Sequence, residues 1–138
     1  MIPKKVILHC SDTVDGVHCD IVDIDRWHRE RGMKSCGYQF VILPDGTLQT
    51  GRGMEELGAH TRGYNLGSIG ICLIGRNQFT EQQLETLIGL GFRIYNKYKI
   101  LPEDWHGHYE FSDKTCPNFP VDWVKYLLER SFNELGLI

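Results

Sequence analysis

The sequence predicts an α/β domain in which a central mixed β-sheet is flanked by about three helices. Three features of the 138-residue chain carry that expectation. Residues 5–9 and 68–74 form short apolar runs, nearly continuous in hydrophobicity, as in strands covered on both faces. The β-rich stretch 38–43 runs straight into Pro44, Asp45, Gly46 and Thr47, a strong hairpin turn. Amphipathic stretches at 23–31, 80–98 and 120–135 supply the helices. The order strand, helix, hairpin, strand, helix, loop, helix contains no repeat, linker or low-complexity tract, so residues 1–138 are expected to form one domain.

Each element has its own signal. The first strand ends at His9; because successive side chains alternate between faces, Cys10 is expected to pack away from whatever His9 faces. Residues 11–20 are polar and read as a loop. The first helix places Ile24, Trp27, His28 and Arg31 on one face, with Asp23 as its N-cap and Gly32 as its stop. His18 and His28 are read as surface or helix-flank residues. The strand returning from the hairpin covers 47–52, and the segment 53–67 is long and irregular, as functional loops often are. Gly70, inside the next strand, signals close approach of another backbone.

The second helix has the clearest start. Thr80 and Gln83 form a capping box, and Phe79 can staple against Leu84. Leu84, Leu87, Ile88, Gly91, Ile94, Tyr95 and Tyr98 then keep the helical period on one core face. The closing helix lines Val121, Val124, Leu127, Leu128, Phe132 and Leu135 along its inner face, and Gly136 ends it.

Composition excludes several classes. Hydrophobic residues at 41% and charged residues at 24% describe an ordinary globular protein. A net charge of −3 and a pI near 6.0 leave no basic footprint for nucleic acid. No apolar run approaches the ~20 residues of a membrane helix. The apolar run behind Lys4 and Lys5 is too short for a signal peptide, so the chain is expected to be cytoplasmic as synthesised. Five cysteines, an odd count, fit reduced thiols better than a disulfide framework, with Cys72 a core residue.

Chemistry concentrates between His108 and Pro117, where an imidazole, an ammonium and a thiol fall within a short segment. One reading brings His9 back to His108 and Cys116 as three ligands of a zinc ion; the other leaves them unrelated. Three protein ligands would leave a fourth position open, the pattern of catalytic zinc, at which water ionises near pH ~7. Lys114, two residues before Cys116, faces the same side if the segment is extended and could stabilise an oxyanion; otherwise it is a solvated lysine. Tyr38 could orient water or donate to an intermediate, or be an edge aromatic. His106 competes with His108, and spacing does not decide between them.

Taken together these pieces resemble a known family. Residues 6–11 (Val-Ile-Leu-His-Cys-Ser), 36–42 (Cys-Gly-Tyr-Gln-Phe-Val-Ile), 58–60 (Gly-Ala-His), 63–75 and 108–117 follow, in order, the zinc N-acetylmuramoyl-L-alanine amidases of the peptidoglycan recognition protein superfamily. The likeness is greatest to the small amidase endolysins of tailed phages. It implies cleavage of the amide between the lactyl group of N-acetylmuramic acid and L-alanine in peptidoglycan, with zinc on His9, His108 and Cys116. It also implies catalytic roles for Tyr38 and Lys114, a substrate contact at His60, and a bracing role for Asn65 in the loop around it. Muropeptides are the implied partners, with no nucleic acid and no membrane, and the chain is expected to be a monomer. If it acts as an endolysin, it must be released to the wall by a holin-like route. Two alternatives accompany this reading: a non-catalytic peptidoglycan-binding module, and an amidase that also inhibits RNA polymerase, as some phage members do.

Overall fold

The computed structural model describes residues 1–138. Its strands are β1 (Lys5–Cys10), β2 (Phe40–Ile42), β3 (Leu48–Thr50), β4 (Ser68–Leu73) and β5 (Trp105–Gly107). Its helices are α1 (Ile21–Glu30), α2 (Glu81–Tyr98) and α3 (Val121–Glu134). The strands form one mixed sheet in the order β3-β2-β4-β1-β5. Parallel pairing joins β2, β4, β1 and β5, while the hairpin adds β3 antiparallel at one edge. This is the predicted α/β architecture with its three helices. No helix is long and apolar enough to cross a membrane.

The two faces of the sheet do different work. On one, Val6, Leu8, Phe40, Ile69 and Ile71 meet Leu87, Leu90 and Ile94 of α2 and Val124, Leu128 and Phe132 of α3 in the main core. Gly91 lets the two helices touch, since a Cβ there would lie 2.5 Å from the Leu128 side chain. On the other face a smaller cluster joins Val41, Cys72 and Ile74 to Cys19, Ile24 and Cys36, and there Cys72 is core, as expected. His9 pairs with Cys72 in the β1–β4 register, so alternation places it on this second face, at the open end of the strand.

Several boundaries differ from the sequence-based expectation, each for a local reason. Asp20, not Asp23, caps α1: its side chain accepts from Val22 N–H at 2.9 Å, while Asp23 answers by accepting from Asp20 N–H at 3.0 Å. Strand β2 begins after Tyr38, and β3 stops before Arg52. Strand β5 gave no recognisable sequence signal, because three residues between a proline turn and a loop carry no period; pairing with Val6, Ile7 and Leu8 creates it. Leu135 is exposed, and Leu137 packs against the core in its place.

The capping box of α2 forms as read, and Gln83 does more than cap. Fully buried, its amide donates to Ile42 O at 3.1 Å and Ile74 O at 2.9 Å, bonding the helix start to the ends of β2 and β4. Replacing Gln83 with Leu removes these bonds and half the cap at nearly constant volume. The variant is expected to lose about 2 kcal/mol, read from the midpoint of urea unfolding; an unchanged midpoint would show that the carbonyls need no such partner.

Candidate metal centre

The centre assembles where three neighbouring chain segments end. His9, almost fully buried, is the next-to-last residue of β1. Next to it β5 ends at Gly107, and the chain turns immediately into a 3-10 turn, His108–Glu110. Glu110 holds that turn: one carboxylate oxygen accepts from Gly107 N–H at 2.7 Å and the other lies 3.0 Å from His106 Nδ1. His106 is thereby tied to Glu110, while the His108 ring lies 4.5 Å, centroid to centroid, from that of His9. The following loop returns Cys116 to the same place, closed by Tyr109 N–H donating to Cys116 O at 2.8 Å. Cys10 N–H then donates to Cys116 Sγ at 3.2 Å.

The ligand atoms of His9, His108 and Cys116 all lie within 4.8 Å of one another. The structure thus brings these three together and leaves His106 out. Their chemistry fits a metal. Burial holds His9 well below the usual imidazole range, helped by His60, His108 and Lys114, and burial with Lys114 lowers His108, so both rings are neutral with a lone pair to give. A hydrogen bond with Cys10 and burial push the Cys116 thiol up, so it holds its proton until a bound cation displaces it. Two imidazoles and one thiolate form a donor set that zinc accepts with a coordination position to spare.

A cleft of about 870 Å³ opens over these residues. Tyr38 and Lys114 both line it. The Tyr38 ring stands 5.0 Å from His9, and burial raises its phenol well above the ordinary range, so the group is a donor at neutral pH. Lys114 sits on a bend rather than an extended strand, yet lies close enough to depress the imidazoles of both His9 and His108. Arg31 and Arg62 add positive charge to the walls. At the rim Arg76 donates to the Asp12 carboxylate and carbonyl, each at 2.8 Å, and its own carbonyl accepts from Asn118 at 2.9 Å.

Two cleft residues escaped the sequence reading. His28, expected near the surface, is buried; its Nδ1 accepts from Gly37 N–H at 2.8 Å and its ring lies 5.5 Å from Tyr38. The signal was its place on the face shared with Ile24. Thr61, with no such signal, is buried with its hydroxyl 3.2 Å from His9 Nε2. His60 lines the cleft but leans inward, with Nδ1 3.0 Å from His9 Nε2 and Nε2 3.3 Å from Ser68 Oγ. Burial, with His108 and Arg52, lowers its pKa to about 3, so the ring is neutral. The close approach that Gly70 permits is by this ring and not by a backbone.

The sequence family described as N-acetylmuramoyl-L-alanine amidase matches residues 1–119. The chain belongs to that family. Among its amidase and amidase-like relatives, the endolysin of Enterobacteria phage K11 is 35% identical over 134 residues, covering 88% of this chain and 85% of the phage protein. In structure the chain is similar to the amidase LysC from Clostridium intestinale, with a TM-score of 0.84 at 32% identity over 92% of this chain and 85% of that one. It is also similar to a mutant of Drosophila PGRP-LB in complex with tracheal cytotoxin, with a TM-score of 0.74 at 33% identity over 84% and 75% of the two chains. The peptidoglycan recognition superfamily and its phage endolysins are thus its kin, as the motifs implied.

The loop that carries His60 and Thr61 depends on Asn65, whose carbonyl oxygen accepts from His60 N–H at 2.9 Å and from Thr61 N–H at 2.8 Å. Asn65→Ala strands both donors. Losing two such bonds at about 1 kcal/mol each should make those amides exchange ~30-fold faster, with Asn65→Asp close to the parent. Hydrogen exchange resolved at these two amides is the measurement, and unchanged protection would remove Asn65 as the brace.

Proposed function

We propose that this chain is a zinc-dependent N-acetylmuramoyl-L-alanine amidase that hydrolyses the bond between the lactyl carbonyl of N-acetylmuramic acid and L-alanine of the stem peptide. The observation that carries the reading is the convergence of His9, His108 and Cys116 at the floor of a cleft, in a chain of this family. Its relatives supply the substrate class: one is an endolysin, and another is found in complex with tracheal cytotoxin.

His9, His108 and Cys116 would hold the ion. When bound, zinc supplies a Lewis acid that polarises the scissile carbonyl and acidifies water at neutral pH. The protein's own groups do the rest. Tyr38, kept protonated by burial, donates a hydrogen bond to the oxygen that gains charge as the carbonyl becomes tetrahedral. Lys114 brings an ammonium into the same cleft, near His9 and His108, and opposes that charge. Net, water is added across the amide: the carbonyl carbon gains an oxygen, the carbon–nitrogen bond breaks, and the alanine nitrogen leaves with a proton as a free amine. Arg31 and Arg62 suit the carboxylates of a stem peptide lying along the walls. A complete ligand set favours an enzyme over a module that only holds peptidoglycan.

Purified protein should contain about one zinc per chain and release L-alanine amino termini from peptidoglycan with no new reducing ends. Zinc with binding but no release would leave a recognition module. His9→Ala and Cys116→Ser should lose metal and activity together. Tyr38→Phe and Lys114→Ala should retain zinc and slow turnover by roughly 100-fold, the size of an oxyanion donor's effect. A Lys114→Ala enzyme with full zinc and an unchanged rate would exclude lysine from the chemistry.

A further inference from the structure

We propose that His60 is a positioning residue that, backed by Ser68, holds His9 in the tautomer and orientation that leave its Nδ1 free for the metal. The inference rests on the reading of His9 as a ligand and deepens it.

The protons in this part of the structure can be placed one after another. Ser68 Oγ lies 2.7 Å from Tyr64 O and 3.1 Å from Asn65 O. Carbonyls only accept, so the single hydroxyl proton is committed to them. The Ser68 oxygen therefore accepts from His60, which fixes the proton of the neutral His60 ring on Nε2 and leaves Nδ1 bare. That bare nitrogen faces His9 Nε2 at 3.0 Å and Thr61 Oγ1 at 2.9 Å, and the latter two are 3.2 Å apart. If His9 Nε2 were also bare, two lone pairs would oppose each other at 3.0 Å, and the one Thr61 proton could serve only one of them. With a proton on His9 Nε2, every group is satisfied, whether His9 donates to His60 directly or to Thr61 while Thr61 donates to His60. His9 Nδ1 is then the unprotonated atom.

The backbone is shaped around the same ring. A Cβ on Gly70 would come within 2.5 Å of His60 ring carbons, and one on Gly58 within 2.6 Å of Cδ2. Neither glycine has the positive φ that would otherwise call for it. Two glycines thus flank a slot in which His60 stands edge-on to His9, the rings 85° apart with centroids 5.0 Å apart. Both His60 nitrogens are engaged inside the protein, so the ring is placed to act on His9 rather than to grip a substrate through its own polar atoms. Partners behind a metal-bound histidine commonly fix its tautomer, and losing one typically costs 10–100-fold in metal affinity.

The test compares His60→Phe, which keeps a ring in the slot without nitrogens, with His60→Asn, whose amide oxygen can stand where Nδ1 was. Zinc affinity is read by competition with a chromophoric chelator, cobalt-substituted protein is read by its visible spectrum, and thermal unfolding of the metal-free proteins reports the fold. The expected result is zinc affinity ~10–100-fold weaker in His60→Phe, with an altered cobalt spectrum, and largely restored in His60→Asn. If both variants bind zinc like the parent, or Asn restores nothing, the positioning role is overturned while the zinc site stands. If the parent itself binds no zinc, the ligand reading falls and takes this inference with it. Should the variants fail to fold, nitrogen-15 correlation spectra of the zinc-loaded parent decide: protons on Nε2 of both His9 and His60 support the arrangement, and a proton on Nδ1 of either overturns it.

Discussion

Strand β1 is hydrogen-bonded on both edges, to β4 on one side and β5 on the other, and is buried along almost its whole length. That double pairing is the constraint on which the site depends. It fixes the register of Val6 and Leu8 toward the main core, and by alternation it aims His9 at the opposite face. It sets the end of β5 beside the end of β1, so the turn that follows delivers His108 next to His9 without a long excursion. A one-residue slip between β1 and β4 would turn His9 toward the apolar core, and one between β1 and β5 would carry His108 away from it.

A second consequence of this placement is electrical. Neutral imidazoles, a thiol and a phenol share one end of the sheet, and burial presses each away from its charged form. The Lys114 ammonium pushes in the same direction on both His9 and His108. The protein therefore presents electron pairs without presenting negative charge, an arrangement that suits a cation able to organise them. The hydrogen bonds around His9 complete the picture, since His60, Thr61 and Ser68 form one connected network behind it.

Much of this was legible in the sequence because it depends on local rules. The periods of α2 and α3, the Thr80 capping box and the Pro44–Thr47 turn are all encoded within a few residues of where they act. Motif order singled out His9, His108 and Cys116, and the structure brings these three together. What escaped depends on distant partners. Strand β5 exists because β1 offers it an edge, and His28 is buried because Gly37 supplies an amide to its ring. Gly70 was legible as a tight place, but its neighbour was not, since the ring that fills the space comes from a loop whose path only the fold determines. Asp23 and Asp20 could each cap α1 by residue type, and the helix geometry chose between them.

The register of β1 also bears on how the chain comes to fold. Its first partner begins at Ser68 and its second at Trp105, so the strand nearest the N-terminus waits for nearly the whole polypeptide before both edges are covered. At a synthesis rate of ~5–20 residues per second, β1 stays incompletely paired for on the order of 5–20 s on the ribosome. During that interval Val6, Ile7 and Leu8, fully buried in the finished protein, form an apolar strand with open edges. Parallel pairing across such sequence separation is slow to form even in a released chain. The strand that aims the site is thus also the stretch that leaves the nascent protein most open to misassociation.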